Sequence, residues 1–129
     1  MSDMIEPTAP LTTLIAALET GEASACELLD MHLERIDRLD GPVNSVVQWD
    51  LDRARRTAAA ADDAIASGDE LGPLHGVPIT IKDSFQTEGC ITTSGAPELA
   101  EFVPTADAAP VARLRAAGAI PFAKTNLPI

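Results

Sequence analysis

Between Val77 and Lys124 the chain runs strand, helix, strand, and few folds accept that order. Val77-Pro-Ile-Thr-Ile-Lys82 is short and β-branched, with turn residues Gly72-Pro-Leu-His-Gly76 before it. Asp107 to Ala117 reads as a helix with Val111, Leu114 and Ala117 on its inward face and Gly118 as its stop. Pro110 fits only in that helix's first turn, where its missing N–H is not needed. Ile120-Pro-Phe-Ala-Lys124 then returns as a second strand. Two strands joined through a helical crossover lie parallel, because a tight hairpin joins only antiparallel neighbours. The expectation is a βαβ unit that opens a parallel or mixed sheet.

The amino-terminal half carries helical spacing instead. Residues 1–10 are polar and proline-bearing and read as a loose terminus. Leu11, Leu14, Ile15 and Leu18 recur on one helical face before Gly21. Ser24-Ala-Cys-Glu27 has the form of a capping box, in which serine and glutamate satisfy free backbone N–H groups reciprocally. Leu28, Leu29, His32, Leu33, Ile36 and Leu39 follow as one apolar stripe, ended by Gly41-Pro42. His32 on that stripe reads as a core or boundary histidine rather than a ligand. Val46 to Trp49 is a brief strand, and Asp50 can cap a helix over Leu51 to Ser67 that Gly68 ends. That helix is alanine-rich with charges on several faces, so it should lie partly exposed. The fold class is therefore α/β, with a mainly helical stretch over 11–70 leading into an α/β core over 71–129 of one domain.

Charge and composition remove several functional classes. Nine Lys+Arg against twenty Asp+Glu leave a net charge of −11, which opposes binding to nucleic-acid phosphates or to an anionic membrane surface. Cys26 and Cys90 are isolated thiols without metal spacing and suit a reducing, cytoplasmic setting. There is no basic amino terminus with an apolar run, and no stretch of about 20 apolar residues that could span a membrane. Phosphate-loop, zinc and calcium motifs are absent too.

The residue with the most chemistry is Lys82. In open α/β sheets ligands collect beyond the carboxyl ends of strands, which is where Lys82 falls. Strand alternation puts Pro78, Thr80 and Lys82 on one face, and Val77, Ile79, Ile81 and then Asp83 on the other. An amine that acts as a base must lose its proton, and burial beside Ile81 and Phe85 would favour the uncharged form. Other candidates carry less. Ser84 reads as a turn or cap hydroxyl, and Ser94 lies in the hydroxyl-rich loop Gly89 to Gly95 where it can line a site. Cys90 with His75 is a conceivable thiol–imidazole pair without an orienting residue. Lys124 reads as a structural or solvated strand-end charge.

Three segments in order, Gly72-Pro-Leu-His-Gly-Val-Pro-Ile-Thr-Ile-Lys-Asp83, Thr92-Thr-Ser-Gly95, and Asp107 to Ala119 with Lys124-Thr-Asn126, make the chain similar to the amidase signature family. The resemblance implies hydrolysis of carbon–nitrogen amide bonds by a Ser–cis-Ser–Lys triad without cofactor or metal, and it assigns the triad lysine to Lys82. It also implies a small-molecule amide as substrate. Both serines of such a triad lie in a Gly-Gly-Ser-Ser-Gly-Gly-like segment downstream of Lys-Thr-Asn, and no two serines are adjacent in these 129 residues. Ala96 and Ile129 are smaller departures, standing where the family often has Ser and Glu. The expectation is an amino-terminal part of one amidase domain, inactive alone. The alternatives are a non-enzymatic remnant or binding fragment, and half of a split enzyme or glutamine-amidotransferase-like subunit completed by another chain or a homo-oligomer. A chain that stops at Ile129 is also expected to leave a strand edge free near Ile120 to Phe122, with the aggregation hazard that brings.

Overall fold

A computed structural model describes residues 5–128. The elements in order are α1 (Leu11–Thr20), α2 (Ala25–Leu39), β1 (Val46–Trp49), α3 (Leu51–Ala66), β2 (Pro78–Lys82), a single 3₁₀ turn at Pro97–Leu99, α4 (Ala109–Ala116) and β3 (Ile120–Thr125). Of the proline-bearing start, Met1–Met4 lie outside the described residues, while Glu6 to Ala9 form a turn and Ile5 and Ala9 pack against the core. Among the described residues no helix is long and apolar enough to cross a membrane.

The start of α2 shows how completely a short sequence can satisfy a helix end. Ser24 Oγ accepts from the Glu27 backbone N–H at 3.0 Å, and the Glu27 carboxylate accepts from the Ser24 N–H at 3.1 Å. That leaves the N–H groups of Ala25 and Cys26, which donate to the two carboxylate oxygens of Asp62 on α3 at 2.7 and 3.1 Å. The free donors of the first turn are thus shared between a local box and a distant carboxylate. Ser24→Ala is expected to cost about 1 kcal/mol in chemical denaturation. Asp62 should keep the helix itself intact in that variant, with unchanged far-ultraviolet ellipticity.

Behind this cap, Leu28 and Leu29 are buried, His32, Leu33 and Ile36 are half-buried, and Leu39 in the last turn is exposed rather than part of the stripe. Ala54, Ala58 and Ala61 form a buried ridge of small side chains on α3. Together with Leu14, Ala17 and Leu18 of α1, Val77, and Ile120, Phe122 and Ala123 of β3, they make one hydrophobic cluster. Burial of that cluster is the main favourable term holding helices and sheet together. Asp50 occupies the position before α3, but its side chain makes no capping bond and its Oδ2 is buried without a partner among the described residues. Desolvation raises its carboxyl above the ordinary value, against lowering contributions from Arg53, Arg115 and Arg56.

The sheet order is β1-β3-β2, with β2 parallel and β1 antiparallel to β3. The βαβ expectation holds, and the sheet is mixed. The exposed edge expected at Ile120 to Phe122 is not seen among the described residues: Ile120 to Lys124 are all buried, and Phe122 O, just beyond the β1 ladder, accepts from the Asp50 N–H at 2.9 Å. β1, which precedes β3 by a long stretch of chain, supplies the second neighbour. A proline in a central strand is normally excluded, since it cannot donate to a ladder. Pro121 escapes because β1 pairs with β3 only over Ala123 to Thr125, and because the β2 register skips a residue between Pro121 and Ala123.

Gly72 and Gly118 let two backbone segments touch. Leu74 N–H donates to Ala117 O at 2.9 Å and Gly76 N–H to Gly118 O at 3.0 Å, so residues 72–76 lie directly on the end of α4. Gly118 has φ +99°, and a Cβ there would sit 2.6 Å from His75 Cα and 2.9 Å from His75 N. Backbone cannot swing aside as a flexible side chain can. Gly118→Ala is therefore expected to lose more than about 2 kcal/mol, measured by urea unfolding.

Candidate active site

Lys82 ends β2 opposite Thr125, and alternation sets it apart from its neighbours: Ile81 and Asp83 are buried while Lys82 is exposed. The apolar enclosure expected from Ile81 and Phe85 is not closed among the described residues, since Phe85 is itself 41% exposed. Lys82 forms none of the ion pairs among the described residues, which engage Arg53, Arg55, Arg115 and Lys124. It stands as an unpaired amine, in that sense, at the carboxyl end of a parallel strand.

The rigid part of the site lies directly beneath it. The Asp83 N–H extends the ladder to Thr125 O at 2.9 Å, and the Phe85 N–H closes a turn onto Lys82 O at 3.0 Å. Lys124, expected as a structural or solvated charge, is not solvated: it is 1% exposed. Its Nζ donates to Phe85 O at 2.7 Å and to Thr92 Oγ1 at 2.8 Å, and it lies 3.6 Å from Asp83 Oδ1. Asp83, 2% exposed, accepts from the backbone N–H of Thr93 at 3.2 Å and from the Thr93 hydroxyl. Thr92 Oγ1 also accepts from Thr87 N–H at 3.3 Å and donates to Cys90 O at 3.1 Å. Burial lowers the Lys124 amine from its usual value, and the Asp83 carboxylate works in the opposite direction. A buried charge persists when it is paired and its hydrogen bonds are filled, and this pair meets both conditions.

The same network aims the hydroxyl loop. Ser94 N–H donates to Asp83 O at 3.0 Å, and Gly95 N–H to Thr93 Oγ1 at 3.1 Å. Ser94 and Gly95 both take positive φ, +51° and +75°. For a serine this conformation is sparsely populated and is held here by those hydrogen bonds. Ser94 and Ser84 are both exposed, so the fold presents two hydroxyl-bearing turns beside the end of β2.

Other sequence candidates separate. His75 Nε2 lies 2.9 Å from Ala61 O on α3, whereas Cys90 is buried in the Thr92 loop, where desolvation raises its thiol. They make no pair. Cys26 is likewise a free thiol, half-buried at the start of α2. His32 is half-buried on α2, its imidazole lowered first by burial and then by Arg35, as a boundary histidine should be. Asn126 donates to Asn44 O at 3.2 Å and ties the end of β3 to the β1 side of the sheet. Ile129 lies outside the described residues.

Sequence reasoning missed the Asp83–Lys124 pair. The signal was present: Lys124 is the only charge in an otherwise apolar strand, and alternation already set Asp83 on the face opposite Lys82. Parallel register sets Ile81 beside Lys124, one residue from Asp83.

Comparison with known proteins agrees with this geometry. The Amidase family model matches residues 27–129. The A subunit of glutamyl-tRNA(Gln) amidotransferase from Aromatoleum aromaticum is 47% identical over 119 residues, covering 92% of this chain and 24% of that protein. Its counterpart from Acidothermus cellulolyticus is 41% identical over 127 residues, covering 98% of this chain and 25% of its own length. Among solved structures, native peptide amidase from Stenotrophomonas maltophilia superposes with a TM-score of 0.86 at 36% identity, over 93% of this chain and 25% of that one. The chain thus spans about a quarter of the length of the relatives it matches. A family match from the first turn of α2 to the last residue, on a fold shared with a solved amidase, means that this chain belongs to the amidase signature family.

Proposed function

We propose that this chain carries the lysine side of an amide-hydrolysing site, with Lys82 as the base. What supports the reading most is the placement of Lys82: an amine without an ion-pair partner among the described residues, at the carboxyl end of a parallel strand, on a turn braced from below. In this scheme neutral Lys82 accepts a proton through a bridging serine from a nucleophilic serine, whose oxygen bonds to the amide carbon. Backbone N–H groups near that serine stabilise the oxyanion. Lys82 returns the proton to the leaving nitrogen as the C–N bond breaks, and water then hydrolyses the acyl-enzyme. The resemblance implies that both serines lie in a Gly-Ser-rich segment, which these 129 residues do not contain. The activity is therefore assigned to a larger assembly, in one polypeptide or two.

The test is ammonia release from small primary amides by the full-length natural polypeptide, by its Lys82→Ala variant and by residues 1–129 alone. Turnover by the first, a rate about 10²–10⁴-fold lower in the second and none by the third are expected. Unchanged turnover in Lys82→Ala removes the proposed role. Serine-dependent turnover by residues 1–129 removes the need for a missing segment.

A second reading narrows the substrate. The curated relatives at 41–47% identity are named as amidotransferase subunits, whereas the solved peptide amidase stands at 36%. That favours a glutamine-amide substrate and a partner chain that receives the ammonia. Faster hydrolysis of glutamine than of simple aliphatic or peptide amides, increased by a co-purifying protein, is the expected result. A preference for peptide amides returns the assignment to a general amidase.

A further inference from the structure

We infer that Lys124 is a positioning residue for Lys82, acting through the Phe85 carbonyl and the Asp83 carboxylate; the inference rests on the reading of Lys82 as the base. The geometry confines Lys124 to that task. Its Nζ is buried and filled, with donors to Phe85 O at 2.7 Å and Thr92 Oγ1 at 2.8 Å and with Asp83 Oδ1 at 3.6 Å, so it cannot reach a substrate. Each partner lies in a segment that borders the proposed base. Phe85 closes the turn that starts at Lys82 O, Asp83 follows Lys82 directly, and Thr92 leads into the loop whose Ser94 N–H binds Asp83 O. One ammonium therefore ties together the turn after Lys82, the end of β3 and the hydroxyl loop.

A strand-end lysine has long, rotatable geometry, and β2 stops at Lys82 itself. The direction in which its Cα–Cβ bond points depends on the turn that follows. Thr87 Oγ1 donates to the same Phe85 O at 3.2 Å, so that carbonyl is fixed by two donors from different segments. Removing Lys124 leaves the carbonyl with only the longer Thr87 bond and Asp83 with only the Thr93 bonds. A reacting group displaced by about 1 Å can lose about 100-fold in rate. Such a loss falls on kcat rather than on KM, because binding of the amide does not use the amine.

The experiment uses the full-length natural polypeptide and a cycle of Lys124→Met, Asp83→Asn and the double variant, with Thr92→Val and Thr92→Ser as milder probes. The double variant removes both buried charges and is expected to melt near the parent temperature. It should nevertheless keep kcat about 10–100-fold down, with KM within about threefold. Thr92→Val should lower kcat severalfold and Thr92→Ser should restore it, because serine keeps the hydroxyl that receives Nζ. A stable double variant with parental kcat would show that the pair only holds the fold and would overturn the inference. Equal kcat in Thr92→Val and Thr92→Ser would do the same. Lys82→Ala separates the two levels: if its kcat falls while the folded Lys124 variants keep parental kcat, only this inference fails. If Lys82→Ala keeps parental kcat, the base reading fails and this inference with it.

Discussion

Lys82→Ala in the full-length natural polypeptide is expected to lower kcat for amide hydrolysis by about 10²–10⁴-fold, the usual contribution of a positioned general base. In transition-state terms that is about 3–5.5 kcal/mol. The same substitution should leave thermal unfolding nearly unchanged, within about 0.5 kcal/mol, because the side chain is exposed and enters no ion pair among the described residues. The combination is what makes the measurement decisive. A core or network residue loses activity and stability together, whereas a base on a strand end loses activity alone. Steady-state kinetics and a thermal melt on the same preparation read both quantities. Activity that falls only in proportion to the folded fraction would mean that Lys82 is part of the scaffold.

Lys124→Met is expected to act on stability as well as on rate, removing about 3–5 kcal/mol of stability, the usual cost of stripping one partner from a buried ion pair. Methionine fills much of the same volume, so the loss is not a cavity effect. It comes from Asp83, which is left as a carboxylate 2% exposed and without its cation, and from Phe85 O and Thr92 Oγ1, which lose a charged donor. Domains of this size are stable by about 5–15 kcal/mol, so the variant should lose a large share of its stability. Denaturant midpoints of parent and variant measure the effect directly. Adding Asp83→Asn should recover most of it, because the second substitution removes the orphaned charge. A variant as stable as the parent would show that the desolvation of Lys124 already cancels everything the pair contributes.

The helical half was legible in the sequence because its signals are local. The Ser24–Glu27 box, the left-handed glycines after α1 and α3, and the apolar spacing of Leu28 and Leu29 each act within a turn or two of chain. Local hydrogen-bond geometry decides them, and tertiary packing only confirms the choice. The βαβ order was legible for a related reason: a crossover helix between two β-branched strands leaves one economical arrangement. Lys82 could be singled out from its strand-end place and its motif alone.

What lay beyond the sequence were the contacts made by residues far apart along it. Nothing local says that β1 joins β3 antiparallel, yet that pairing, over Ala123 to Thr125, makes β3 the central strand. Asp62 reaching the first turn of α2 belongs to the same kind of contact. So does the failure of Asp50 to cap α3, since its carboxylate is drawn into a desolvated corner beside arginines from two helices.

By itself, then, the amino-acid order determined where helices start and stop, which strand carries the candidate amine and that Asp83 lies on the face of β2 opposite Lys82. The tertiary structure alone decided that Lys124 is dry, that Asp83 is its counter-ion, and that the turn below Lys82 is braced by both. The physical reason is range. Caps and periodicity are set by neighbours a few residues away, whereas the protonation and solvation of a charge depend on every group folded around it, and sequence spacing does not encode that distance.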